Sequence, residues 1–119
     1  MKIELKELSR QEFINKVPDS LQYGPYEEDD LFMKVGNTYC CCNRHNNINN
    51  IVAYSENYDI SNVNSLLTFI YVLRDKNIKY IRIASVGKDR YKHLLNRYFP
   101  NYKTEHIDNE WIHYVFIGE

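Results

Sequence analysis

The stretch SLLTFIYVLRDKNIKYIRIAS, residues 65–85, carries two periodicities joined by one stop signal. In its first half Leu66, Leu67, Ile70 and Leu73, with Val63 just upstream, keep the i, i+3, i+4, i+7 spacing of a single helical face and predict a helix over Asn62–Lys76. Asp59 or Ser61 can cap its start. Asn77 tolerates the left-handed conformation in which helices end, and KYIRIASV, residues 79–86, then alternates with Ile81 and Ile83 on one face, as a strand does. Helix and strand nearly abut, which places the chain in the α/β class.

Upstream, LFMKV (31–35), TYCCCNRH (38–45) and IVAYSE (51–56) read as strands separated by Gly36-Asn37 and by the Asn-rich turn Asn46–Asn50. Gly and Asn supply the positive φ that tight hairpin turns demand, so a three-stranded antiparallel meander is expected. KIELKEL, residues 2–8, alternates with Ile3 and Leu5 on one face. Ser9, with Glu12 three residues on, forms a capping box for a short helix through Val17 that Pro18 ends. PDSLQYGPYEEDD, residues 18–30, holds two of the three prolines and an acidic run, the composition of a surface loop with a solvated charged face. Downstream, DRYKHLLNRYF (89–99) predicts a second amphipathic helix with Tyr91, Leu94, Leu95 and Tyr98 on the core side, closed by Pro100. YKTEHID and EWIHYVFIG, turning at Asn109, form a terminal hairpin. The expected order is βα, βββ, α, β, α, ββ. This is an α+β arrangement in which one domain, 1–119, has a mixed, mostly antiparallel sheet of six or seven strands flanked by two main helices.

Composition narrows the function classes. At 119 residues, 44% hydrophobic and 26% charged, the chain has ordinary globular proportions. Fifteen Lys and Arg against 16 Asp and Glu leave a net charge of −1, so no global field favours nucleic acid or an anionic membrane. The longest mostly apolar stretch, Val63–Leu73, is interrupted by Asn64, Ser65 and Thr68 and falls short of a membrane span. The charged N-terminus MKIELKELSRQEF lacks the apolar run of a secretory leader, which predicts a cytoplasmic protein. Abundant Asn, Lys, Ile and Tyr, with Ala only at 53 and 84, match AT-rich codons, as in a low-GC bacterium, its phages or its mobile elements.

The element order, and above all residues 65–85 followed by RYKHLLNRYFPNYKTEHID (90–108), resembles the GNAT-type N-acyltransferase fold. The likeness covers most of the chain as element order and about a third of it as sequence pattern. It implies acyl-CoA, acetyl-CoA for instance, held between the fourth and fifth strands, residues 51–56 and 79–85, and acyl transfer to an amine. In the family the cofactor's pyrophosphate sits on backbone amides of a turn bearing Arg and small residues at the start of the long helix, where the positive helix end favours an anion. Here that turn is Tyr58-Asp59-Ile60-Ser61-Asn62-Val63, with no Gly or Arg and with Asp59 adding a like charge. The amides of Ser61, Asn62 and Val63 remain the candidate cofactor contacts, against an ordinary capping role for Asp59 and Ser61. The family's general-acid tyrosine would align near Leu95 and is missing. What the resemblance then implies is a diverged or non-catalytic protein that acts by binding a macromolecular partner, another protein or a second copy of itself. The alternative is an active acyl-CoA-dependent N-acyltransferase.

Other residues with chemical potential are few. Cys40, Cys41 and Cys42 are consecutive, so alternate thiols point to opposite faces of a strand. That spacing suits apolar packing better than zinc or a disulfide framework, and no metal site is expected. Glu56, at the end of a central strand, is the first candidate to deprotonate an amine through water. His106 and His113, with Glu105 and Glu110 near, sit where they could meet across the last hairpin, His113 as acid or base. Arg82, Lys88, Arg90, Lys92, Arg97 and Lys103, interleaved with Tyr91, Tyr98 and Tyr102, could touch a phosphate backbone. Their density is also that of an ordinary soluble helix, so a nucleic-acid partner is not the expected one.

Overall fold

Turn residues with positive φ set the frame of the sheet. Asn46 (φ 52°) and Asn47 (φ 64°) close one hairpin, Asp108 (φ 55°) opens another, and Asn77 (φ 68°) ends the long helix. Gly36 (φ 59°) makes the remaining tight turn. A Cβ there would come within 3.0 Å of the Ser65 hydroxyl, so conformation and space both call for glycine. The computed structural model describes residues 3–19, 25–55 and 60–118.

Along the chain the elements are β1 (Leu5–Glu7), α1 (Arg10–Lys16), β2 (Leu31–Val35), β3 (Thr38–His45), β4 (Ile48–Tyr54), α2 (Ile60–Asp75), β5 (Tyr80–Val86), α3 (Lys92–Tyr98), β6 (Tyr102–Ile107) and β7 (Glu110–Phe116). They build an α+β fold around one seven-stranded mixed sheet ordered β1-β2-β3-β4-β5-β7-β6. Neighbours are antiparallel except β4 and β5, the parallel pair that α2 connects. Among the described residues three helices flank it, the two main ones and α1, the short helix expected through Val17. Its capping box is in place: Ser9 Oγ accepts from the Glu12 amide at 3.1 Å, and Glu12 Oε1 accepts from the Ser9 amide at 3.0 Å.

The strand period sorts side chains between two cores. Met33, Val35, Cys40, Cys42, Ile51, Ile81, Ile83 and Val115 lie under α2 and α3 with Leu66, Phe69, Ile70, Leu73, Leu94 and Leu95. On the other face Phe32, Cys41 and Val52 pack with Phe13, Val17 and Tyr26. The thiol triplet divides as anticipated, Cys41 to one core and its neighbours to the other. Burial raises all three thiols, Cys42 to about 12, so they are small apolar side chains rather than nucleophiles.

Several expectations are corrected. On α2 the buried aromatic is Phe69, while Leu67 is only partly buried, because the sheet-facing stripe is centred nearer Leu66, Phe69, Ile70 and Leu73. On α3 Tyr98 is 39% exposed, and Phe99, turning inward past the helix end, takes the core position at 4%. Ile3 packs against the larger core, but Leu5 on the edge strand is half exposed. Strand β4 begins at Ile48 rather than Ile51, since Asn46 and Asn47 alone complete the turn.

Candidate functional site

A parallel strand pair joined through a helix is free to part at the end where the helix enters, and β4 and β5 do so. They share only two register positions, Asn50 with Arg82 and Ile51 with Ile83. Beyond these, β4 continues to Tyr54 and β5 to Val86 without a partner across the junction.

Each lip of the opening is held by its own polar cluster. On the β4 side the buried Asn62 Nδ2 lies within bonding distance of Ser55 Oγ (2.6 Å), Thr38 Oγ1 (3.0 Å) and Asn37 Oδ1 (3.0 Å), and Thr38 and Ser55 meet at 2.9 Å. This ties the end of β4 to the start of β3 and the first turn of α2. On the β5 side Ser85 Oγ donates to the Lys88 carbonyl (2.9 Å) and accepts from the Arg90 amide (3.4 Å). The Gly87 amide donates to the Asn109 carbonyl (2.6 Å), and Trp111 Nε1 donates to the Gly87 carbonyl (3.1 Å). The end of β5 is thereby drawn toward the terminal hairpin.

Between the lips lies a cleft of about 480 Å³. Val63 and Leu66 of α2 and Leu94 of α3 give it an apolar side, Arg82 and Arg90 bring positive charge, and Tyr54 and Tyr91 contribute phenol rings. Arg82 reaches Asn50 Oδ1 at 3.3 Å and Glu110 Oε1 at 3.8 Å. The backbone contributes as well. Ile117 N–H donates to the Lys79 carbonyl at 2.8 Å, which sets the β5–β7 phase: odd-numbered residues of β5 bond to β7, and the amide and carbonyl of Ala84 face the cleft.

Of the residues singled out from sequence, Asn62 and Val63 line this cleft, and the side-chain carboxamide of Asn62, as distinct from its backbone amide, meets three partners and acts as a clamp. Ser61 lies in the first turn of α2, with its side chain outside the described set, and Glu56 and Asp59 lie outside the described residues. The position aligned with the family's general acid, Leu95, is fully buried. Tyr91, expected in the core, packs partly buried against it and also lines the cleft. The 58–63 turn contains no cation, and Arg82 and Arg90 are among the residues that line the cleft. A charged residue between Ile81 and Ile83 in a central strand was the available signal for the first.

His113 and His106 do not meet. The hairpin turns at Asp108-Asn109, which sets His106 opposite Trp111 and His113 opposite Thr104. His106 stacks on Trp111 with ring centres 3.7 Å apart. His113 is 1% exposed and sits between Thr104 Oγ1 (2.8 Å from Nδ1) and Asp89 Oδ1 (2.9 Å from Nε2). Partial burial opposes ionisation of Asp89. Hydrogen bonds from His113 and from the Tyr91 and Lys92 amides outweigh it and hold the carboxyl below its usual range. The pair fastens the loop that carries Arg90 and Tyr91.

A larger, open depression of about 1350 Å³ lies at the opposite end of the sheet, with Asp29, Asp30, Arg44, Lys76 and Lys79 among its lining. Asp30 there is structural, its Oδ2 accepting from Asn43 Nδ2 and from the Glu27 amide, both at 2.8 Å. Among the described residues no group of three or more His, Cys, Asp or Glu is placed to hold a metal ion, and no helix is long and apolar enough to cross a membrane. Comparison with protein-family models, with curated proteins and with solved structures returns no match to the chain.

Proposed function

We propose that the chain is a small GNAT-like protein that binds an acyl-CoA-type thioester between β4 and β5, with transfer of the acyl group to an amine as the reaction such a site would serve. The observation that carries this reading is the β4–β5 ladder that stops after two register pairs and leaves the Ala84 peptide groups facing a cleft. A slender chain with amides along it can lie there as a short extra strand, bonded to Ala84, with its methylenes against Val63, Leu66 and Leu94. Arg90 and Arg82 offer positive charge for a phosphate group, in place of the turn whose composition looks unsuited to one.

Calorimetry or thermal shift with acetyl-CoA and CoA tests it. At ligand about 100 times Kd the folded state gains about 2.7 kcal/mol, and Arg90→Glu weakens binding about tenfold or more. No shift at millimolar ligand overturns the reading.

A second reading, action through a macromolecular partner, is favoured by a different feature. The face of β5, β7 and β6 turned away from α3 exposes Tyr80 (65%), Val86 (69%), Ile107 (53%) and Tyr114 (36%). Side chains of this kind are commoner in interfaces than on free surfaces. Nucleic acid is the weaker partner for that face. The basic residues are spread apart, with Arg82 in the cleft beside Glu110 and Arg97 over the Tyr98 ring. Cytoplasmic residence fits three buried, free thiols.

A further inference from the structure

The two edges of the sheet are unlike. β1 is only Leu5–Glu7, the short strand with which proteins commonly blunt an edge, whereas β6 spans Tyr102–Ile107 and is exposed from Lys103 onward. Its open side can be read residue by residue. Phe116 N–H donates to the Asn101 carbonyl at 2.9 Å, so Lys103, Glu105 and Ile107 are the positions bonded to β7. The amide and carbonyl of Thr104 and of His106 therefore point outward. At Tyr102 only the carbonyl does, because its amide donates to the Pro100 carbonyl at 3.1 Å. Among the described residues no strand covers this edge.

We propose that β6 is a homodimer interface, in which a second copy of this chain adds its own β6 antiparallel across a two-fold axis at Thr104. Charge selects both partner and register. Since the outward groups belong to even-numbered residues, a self-paired strand can be centred only where even faces even. Centring on Lys103 sets lysine against lysine, and centring on Glu105 sets glutamate against glutamate. Centring on Thr104 sets Lys103 against the partner's Glu105 and, by symmetry, Glu105 against the partner's Lys103. These contacts fall at non-hydrogen-bonded positions, where facing side chains come closest. Reciprocal bonds between the Thr104 backbones, and from each His106 amide to the partner's Tyr102 carbonyl, satisfy the open groups of Tyr102 and Thr104 and the His106 amide, leaving the His106 carbonyl to solvent. The exposed Ile107 and Tyr114 flank the seam. This interface is separate from the β4–β5 cleft, and its test does not depend on any ligand.

Sedimentation velocity of the wild-type chain up to about 300 μM should show a monomer–dimer equilibrium. Lys103→Glu and Glu105→Lys should each weaken dimerisation about tenfold or more at low salt, and the double exchange should restore it, with unchanged melting temperatures showing that all fold. A monomer throughout that range overturns the proposal, as does a dimer indifferent to both single reversals. Independently of stability, a mixture of Lys103→Cys and Glu105→Cys chains should form the mixed disulfide under mild oxidation in preference to either homodimer, because facing positions of this kind lie within disulfide reach. Equal yields of all three species also overturn the register.

Discussion

The two halves of the sheet are made of similar strands and live in different surroundings. Strands β2, β3 and β4 are covered on both faces, by α2 on one and α1 on the other, so that β3 is buried over most of its length, from Cys40 to Asn43 without a break. Phe13, Phe32 and Tyr26 meet there with ring centres 5.3 to 5.7 Å apart. Strands β5, β7 and β6 have α3 on one face and no helix on the other among the described residues, where Tyr80 and Val86 stand in solvent. Aromatic and branched residues on a strand thus mark sheet propensity in both halves, while in the second half Ile81, Ile83 and Val115 are buried beneath the helices and Tyr80, Val86 and Tyr114 on the opposite face are exposed, because burial needs a covering layer that the strand itself does not encode.

The comparison can be broken by mutation. Phe32→Ala, in the half covered twice, should cost about 3 to 5 kcal/mol by denaturant unfolding, since the rings of Phe13 and Tyr26 cannot collapse into the space left. A loss under about 1 kcal/mol would mean that this core is not closed. In the half covered once, His113→Ala should cost about 2 to 3 kcal/mol, because the nearly fully buried imidazole leaves Thr104 and Asp89 without their partner.

Asp89→Asn should cost less, about 1 to 2 kcal/mol near neutral pH, and its effect should depend on acidity. The carboxyl ionises more readily folded than unfolded, so its contribution is fully present above the ordinary value of 3.8 and is lost as pH falls through the lower, folded value. Unfolding curves of wild type and Asp89→Asn should converge below that point, and a gap that widens in acid would contradict the pairing. The smallest effect belongs to the open face: Tyr80→Ser and Val86→Thr should each change the stability of the monomer by about 0.5 kcal/mol or less. A large loss from either would show that something covers this face.

Much of the architecture was legible in local chemistry. Positive-φ Asn and Gly mark the turns, the Ser9–Glu12 box marks α1, and alternation assigns Cys41 to one core and Cys40 and Cys42 to the other, because each of these depends on residues within one turn or one strand pitch. Errors arose where a choice depended on distant partners. Tyr98 and Phe99 are both apolar enough for the core, and only the path of the chain past the end of α3 decides between them. His106 and His113 looked like facing residues until the Asp108-Asn109 turn set the register two residues away.

The candidate site shows the same division most sharply. The sequence by itself determined the strands, the long helix and the absence of glycine and arginine from the 58–63 turn, all properties of contiguous residues. Only the tertiary structure decided that β4 and β5 part after two pairs, that Arg82, Arg90 and Tyr91 converge on the gap, and that Asn62 clamps one lip through residues 24 and 25 positions away while His113 fastens the loop beside the other through Asp89. The physical reason is that a cleft is a failure of pairing between strands about 30 residues apart. Whether two such strands stay together or separate depends on the balance of hydrogen bonds at both of their far ends, which no local pattern records.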